Sequence, residues 1–345
     1  MTAPGVRASD RAAPEDIAAA IRAGDRRALA KAITLVESRK PAHRATAEAI
    51  LDAVLPDSGT AIRLGITGVP GVGKSTFIES FGLHLIDEGL RVAVLAVDPS
   101  SQVSGGSILG DKTRMQELAR TEAAFIRASP TGGTLGGVAR RTREAMLICE
   151  AAGFDVVIVE TVGVGQSETA VAEMVDLFLL LLMPGSGDEL QGLKRGIMEL
   201  ADLVVVNKAD GELAAAAGRA VAEYQSALHL LRPAYRAWRP EVMKCSAQAG
   251  TGIGPVWRAA QRFRAALGES GELAAKRRSQ ARGWMWSEIN EALQASLQAH
   301  PAVAACLPEL EAQVMAGRMA PAVAARRLLA VFRGAESGPV GPDST

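Results

Sequence analysis

Gly68-Val69-Pro70-Gly71-Val72-Gly73-Lys74-Ser75-Thr76 decides how the rest of the chain is read. The stretch satisfies G-x-x-x-x-G-K-[ST], the pattern of a loop whose backbone wraps phosphate. Its flanks are those such a loop needs. Ile62, Leu64 and Ile66 alternate ahead of it as in a strand, and residues 76–88 behind it read as a helix. Glycines let the backbone turn tightly enough for successive N–H groups to face phosphate oxygens, and the helix N-terminus adds partial positive charge. Lys74 is placed to reach the β- and γ-phosphates, and Ser75 to offer its hydroxyl to Mg²⁺. A nucleoside triphosphate site follows from this stretch.

Working outward, residues 56–59 (Pro-Asp-Ser-Gly) mark a boundary. Beyond it, apolar runs at 62–67, 91–97, 124–127, 156–161, 177–183, 203–207 and 242–245 alternate with helical stretches. Several are near-continuous in Val, Ile and Leu, as in strands covered by helices on both faces. The expected fold is α/β, a P-loop NTPase with a mostly parallel sheet. A right-handed crossover makes the second strand parallel to the first and brings Asp98 to the edge that carries the P-loop. Ahead of the boundary, Ile17, Ile21, Leu29, Ile33 and Val36 fall at helical spacings, with Pro14 and Pro41 at helix starts and a break at Gly24-Asp25. The arginines there read as a solvated face. After Leu267 the strands stop. Glu272–Ala299 and 301–332 read as helices, with Trp284, Trp286, Ile289, Leu293 and Leu297 on one stripe that suits either an interface or a core. The run Lys276, Arg277, Arg278 reads as solvated. The expected division is a helical N-terminal region (1–56), a nucleotide domain (57–268) and a helical C-terminal arm with a loose tail (269–345).

Asn207-Lys208-Ala209-Asp210 closes a Leu-Val-Val-Val strand and matches the N-K-x-D of GTPases. A carboxylate at Asp210 accepts two hydrogen bonds from guanine N1–H and its 2-amino group. Adenine has no such donor pair, and an unpaired buried carboxylate is costly. Cys245-Ser246-Ala247, followed by Gln248, supplies the loop whose backbone N–H meets guanine O6. Glu160-Thr161-Val162-Gly163 stands where most GTPases have D-x-x-G, longer by one methylene. Glu160 can still hold Mg²⁺ through water while the Gly163 N–H meets the γ-phosphate. Asp98 and Asp111 are further carboxylates on the same edge; the competing reading for all three acids is a helix cap or a loop carboxylate. Val164 occupies the place of the usual water-orienting glutamine and Gln166 follows two residues later, which implies slow intrinsic hydrolysis. Residues 101–110 and 184–194 are glycine-bearing loops that read as switches. The second carries Asp188, Gln191 and Lys194, with a plain strand-to-helix connection as its alternative. Residues 131–137 read as a helix entry.

Together, G-V-P-G-V-G-K-S-T, V-D-P-S-S, G-D-K-T-R-M, S-P-T-G-G-T-L-G-G-V, E-T-V-G-V-G-Q-S-E, P-G-S-G-D-E-L-Q-G-L-K and N-K-A-D resemble the MeaB/ArgK-type GTPases over nearly the whole chain. The resemblance implies a homodimer that binds GTP or GDP with Mg²⁺ and acts with adenosylcobalamin-dependent methylmalonyl-CoA mutase, gating cofactor loading and protecting the mutase. No cobalamin site is expected on this chain itself. Two other classes compete. Nickel-insertion GTPases carry His- or Cys-rich segments, which this chain lacks. A kinase linked to amino-acid transport needs an acceptor-binding motif, and none is visible.

Composition bounds the remainder. Over 345 residues, 48% are hydrophobic and 22% charged, so a sizeable core is expected. Lys plus Arg equals Asp plus Glu at 38 each, which gives no reason to expect nucleic acid or an anionic membrane as partner. Three scattered cysteines and four isolated histidines form neither a disulfide framework nor a metal cluster. The first twenty residues lack a secretory pattern, and the apolar run 177–183 is too short to span a bilayer. A cytoplasmic protein is expected.

Overall fold

A computed structural model describes residues 13–38, 40–97, 115–129, 135–161, 167–185 and 194–334. Its centre is a sheet of seven strands: β1 (Ile62–Gly68), β2 (Val92–Val97), β3 (Ala124–Ser129), β4 (Val156–Thr161), β5 (Leu177–Leu182), β6 (Leu203–Val206) and β7 (Glu241–Lys244). They lie in the order β3-β2-β4-β1-β5-β6-β7, every pair parallel. The apolar runs thus form strands where expected, with shifts of a residue or two at their ends. β1, β4, β5 and β6 are buried along their whole length, which explains their unbroken Val/Ile/Leu composition. β2 does not pair with β1, because β4 lies between them. That insertion positions the site: Glu160 near the end of β4 faces Ile66 of β1 on one side and Ala96 of β2 on the other.

The P-loop helix, Lys74–Asp87, buries Phe77, Ile78, Phe81 and Leu85. Phe77 stacks on Phe81 at 5.4 Å, and Phe81 meets Trp257 edge-on at 6.2 Å, fastening this helix to helix Ile253–Glu269. Truncating so buried a ring costs about 3–5 kcal/mol, so the loop is held from beneath by packing.

The N-terminal helices are Pro14–Arg22, Arg26–Glu37 and Pro41–Val54. Asp25 caps the second, its carboxylate accepting from the N–H of Arg27 at 2.7 Å and of Ala28 at 3.1 Å. Several arginines in and around these helices are paired rather than simply solvated. Arg22 meets Asp57 at 2.5 Å, Arg26 donates to the Glu122 carbonyl at 2.7 Å, and Arg127 of β3 pairs with buried Glu37. The last two bonds tie the N-terminal helices to the β3 side of the sheet.

Contacts divide the chain into two compact units, one running to Ala281 and one from Arg282. The opening turns of helix Glu272–Ala299 belong to the first unit. There Arg277 grips Asp176 with Nε at 2.8 Å and Nη2 at 2.6 Å, and donates to the Ala61 carbonyl at 2.7 Å. Lys276 donates to the Asp176 carbonyl at 2.7 Å and Gln280 to that of Val175 at 2.8 Å. Of the basic run read as solvated, Arg278 alone is exposed; the other two are anchors. In the second unit the stretch 301–332 is two helices, Pro301–Met315 and Pro321–Phe332, not one. Gly317 in the left-handed conformation and Pro321 at a helix start impose the break. On the stripe, Trp286 and Leu293 are 52% and 56% exposed, too open for core residues of a single chain. No described helix is long and apolar enough to cross a membrane.

Candidate active site

The P-loop leaves the carboxyl end of β1 and runs into helix Lys74–Asp87. Lys74 Nζ donates to the Gly68 carbonyl at 2.7 Å and reaches that of Val69 at 3.4 Å, which holds the ammonium at the mouth of the loop. Burial pulls its pKa below the usual lysine value, and the nearby carboxylates of Glu160 and Glu168 oppose that shift. Lys208 crosses the loop from the other side, its Nζ donating to the Gly71 carbonyl at 2.8 Å. Val72 is buried, whereas Pro70, Gly71 and Thr76 face solvent. The strand edge is pinned below by the Thr161 hydroxyl, which donates to Thr67 Oγ1 at 2.8 Å.

Ser75 Oγ lies 3.4 Å from Glu160 Oε1, and Glu160 is 5% exposed. A hydroxyl and a carboxylate at one strand end are the hard oxygen donors that Mg²⁺ takes when it shares its coordination with phosphates and water. These residues therefore fit the ion. Among the described residues no set of three or more His, Cys, Asp or Glu gathers as a metal cage.

The N-K-x-D segment is built into the same edge. Asn207, 2% exposed, donates from Nδ2 to the Val72 carbonyl at 2.9 Å and accepts the Ala247 N–H on Oδ1 at 3.0 Å. Its amide is a strut between the phosphate loop and the loop after β7. Gly73 makes that approach possible: its φ is 90°, and a Cβ there would stand 2.9 Å from Asn207 Nδ2. Asp210 is exposed, and its carboxylate accepts the hydroxyl of buried Ser246. The Ala249 N–H in turn bonds Ser246 Oγ at 3.1 Å. The Ala247 N–H, expected to face the base, is thus engaged by Asn207, while Gln248 beside it is exposed.

The structure brings together Gly68 through Thr76, Glu160, Asn207, Lys208, Asp210, Ser246, Ala247 and Gln248 along one edge. Asp98, Asp111, Gly163, Asp188 and Gln191 lie outside the described residues, and Lys194 opens helix Lys194–Leu200. One residue that sequence reading passed over is Glu168, 1% exposed in the first turn of helix Ser167–Ala172. It closes the E-T-V-G-V-G-Q-S-E stretch, but an acid after a glycine-bearing loop looks the same as an ordinary first-turn acid.

Comparison with known proteins gives a consistent set of relatives. The family described as "Methylmalonyl Co-A mutase-associated GTPase MeaB" matches residues 29–302. "GTPase ArgK" of Escherichia coli is 57% identical over 271 residues, covering 79% of this chain and 82% of the relative. "Methylmalonic aciduria type A homolog, mitochondrial" of Mus musculus is 51% identical over 320 residues, covering 90% and 77%. Among solved structures, "LAO/AO transport system kinase" superposes with a TM-score of 0.75 at 42% identity, covering 96% of this chain and all of the other.

Proposed function

The chain belongs to the MeaB family of methylmalonyl Co-A mutase-associated GTPases, and on that premise we propose a Mg²⁺-dependent GTP-hydrolysing chaperone that gates adenosylcobalamin loading into methylmalonyl-CoA mutase and protects the mutase. The observation that carries the nucleotide half is the Asn207 strut, which fixes the base-reading segment to the phosphate loop. Lys74 meets the β- and γ-phosphates as a point charge, and P-loop N–H groups wrap them. Asp210, oriented by Ser246, accepts the two donors that guanine has and adenine lacks. The exposed Gln248 amide is the donor next in line for guanine O6.

Ser75, Glu160 and Asp98 would hold Mg²⁺, which supplies charge neutralisation at the phosphates. Asp111 and the Gly163 N–H complete the γ-phosphate end. With Val164 at the usual glutamine position, water is poorly oriented by the chain alone, so basal turnover is slow. The loop 184–194, with Asp188, Gln191 and Lys194, leaves β5 at the nucleotide edge and passes the nucleotide state to the mutase. A coupling of this kind requires loop contacts that differ in energy between the GTP and GDP states, typically by about 1–3 kcal/mol. The exposed Trp286 and Leu293 support a homodimer through the C-terminal helices.

The test is phosphate release from GTP, with and without methylmalonyl-CoA mutase. Slow hydrolysis that rises with mutase is the expected result, and Asp188→Ala, Gln191→Ala and Lys194→Ala should lose the rise while keeping basal turnover. The kinase reading has one observation behind it, the name of the 42% identical structure. Product chromatography separates the two: GDP with free phosphate marks a GTPase, a phosphorylated acceptor a kinase.

A further inference from the structure

Where β1 turns into the P-loop, two hydroxyls are buried that packing alone does not call for. The backbone ladder between β1 and β4 runs from Ile62–Val156 to Ile66–Glu160. Past that pair the strands part: β1 continues beside β5 as far as Gly68, and β4 beside β2 as far as Thr161. Across the opening the Thr161 hydroxyl donates to Thr67 Oγ1 at 2.8 Å, and both residues are 0% exposed. Thr67 directly precedes the first P-loop glycine, and Thr161 directly follows Glu160. Side chains alternate along a strand, so the two threonines meet on one face of the sheet. Ile66 and Glu160 stand on the other, where Glu160 lies 3.4 Å from Ser75. Valine has nearly the shape of threonine, is the commoner residue along β4, and buries without the desolvation cost of a hydroxyl. A valine pair cannot come as close, because carbon atoms in contact stand about 3.5–4.0 Å apart. The oxygen pair therefore holds the two strand ends nearer by roughly 1 Å than apolar packing would.

We propose that Thr67 and Thr161 are positioning residues for the Mg²⁺ site: their hydroxyl bond sets the span between the P-loop, which carries Ser75, and the end of β4, which carries Glu160. The bond acts from the opposite face of the sheet, through the strand ends. Mg²⁺ takes oxygen ligands at about 2.0–2.1 Å in near-ideal octahedral geometry. A shift of roughly 1 Å between the two ligand-bearing elements therefore spoils coordination, whether Glu160 meets the ion directly or through a bound water. Nucleotide binding without Mg²⁺ draws on the P-loop N–H groups and Lys74, which belong to one element, and is indifferent to that span. A purely structural role would instead change stability and every affinity together.

The inference rests on the Mg²⁺-dependent GTP site proposed above, and the experiment keeps the two apart. GTP affinity by calorimetry with Mg²⁺ and with EDTA, single-turnover hydrolysis and melting temperature are measured for the full chain and its variants. The double variant Thr67→Val/Thr161→Val removes both hydroxyls at once, strands neither, and should melt at or above the parent temperature. Its GTP affinity in EDTA should match the parent's. The gain in affinity on adding Mg²⁺ should fall roughly tenfold, and hydrolysis roughly tenfold to a hundredfold. Thr161→Ser, which keeps the oxygen, should retain the parental Mg²⁺ gain. A parental Mg²⁺ gain in the double valine variant overturns the proposal. So does loss of that gain in Thr161→Ser, or a joint fall in the double variant of melting temperature and of affinity with and without Mg²⁺. Glu160→Gln that keeps the full Mg²⁺ gain overturns the metal assignment itself. A gain lost in Glu160→Gln and kept in the double valine variant removes the threonine bridge alone.

Discussion

At the scale of single residues, the site depends on side chains that bond to protein as much as on those that face a ligand. Asn207 engages both ends of its amide, one on the P-loop and one on the loop after β7. Asn207→Ala would leave the Val72 carbonyl and the Ala247 N–H without partners, at a cost of about 1–3 kcal/mol for each buried group. Thermal denaturation should show that loss, and calorimetry a weaker GTP affinity. Asn207→Asp, which still accepts from Ala247 but cannot donate to Val72, should fall between. Glu160→Gln keeps the size of the side chain and removes its charge. Nucleotide should still bind, while turnover and its Mg²⁺ dependence fall; unchanged hydrolysis would take Glu160 out of the site. Lys74 and Asp210 were legible in sequence because phosphate and guanine demand given residue types at fixed local spacing. The strut was not, since its partners lie 135 and 40 positions away along the chain and meet only once β1, β5, β6 and β7 are assembled in one sheet.

At the scale of elements, the amino edge of the sheet carries an ionic cluster that seats the start of helix Glu272–Ala299. Asp176, 4% exposed, is held by Arg277 and sits near Lys276 and Asp202. Arg277→Ala would remove the ion-pair partner of that buried carboxylate and leave it the Arg63 N–H at 2.9 Å and the nearby Lys276, a loss of up to about 3–5 kcal/mol read by denaturant unfolding. Asp202 differs in sign. Burial pushes its carboxyl up to about 6, opposed by Lys276 and by the Phe178 N–H bond and reinforced by Asp176. The folded state thus holds the Asp202 proton more tightly than the unfolded chain does. This group's contribution is fully favourable below about pH 4 and is lost as pH rises to about 6, on the order of 2–3 kcal/mol in all. Asp202→Asn should flatten that part of the stability profile; an identical slope in both proteins would show that Asp202 does not carry it. The seven strands were readable because runs such as Leu177–Leu182 fit no exposed element. The place of β4 between β1 and β2 was not, because strand order is set by crossovers rather than by local composition. Lys276 and Arg277 were misread for a related reason: a charge run shows its partners only when Asp176, 100 positions earlier at the head of β5, folds against it.

At the scale of the whole molecule, the chain holds a nucleotide unit and a C-terminal unit, and the second exposes Trp286 and Leu293. If those helices pair two copies of the chain, a protein ending at Ala281 keeps the Arg277 anchor, folds and binds GTP, yet is monomeric in light scattering while the full chain is dimeric. A shortened protein that stays dimeric would move the interface elsewhere. The family resemblance was visible in sequence because its motifs mark the edge where nucleotide chemistry happens. The route from that edge to a partner protein is not written in local spacing, since it runs through packed elements. All of it depends on guanine being the base that the 207–210 segment reads. Titration calorimetry of the full chain with GTP and ATP, and of Asp210→Asn with GTP and XTP, tests that claim most directly. The account predicts GTP binding at least about a hundredfold tighter than ATP, with Asp210→Asn losing GTP and gaining XTP; equal affinity of the parent chain for GTP and ATP would contradict it.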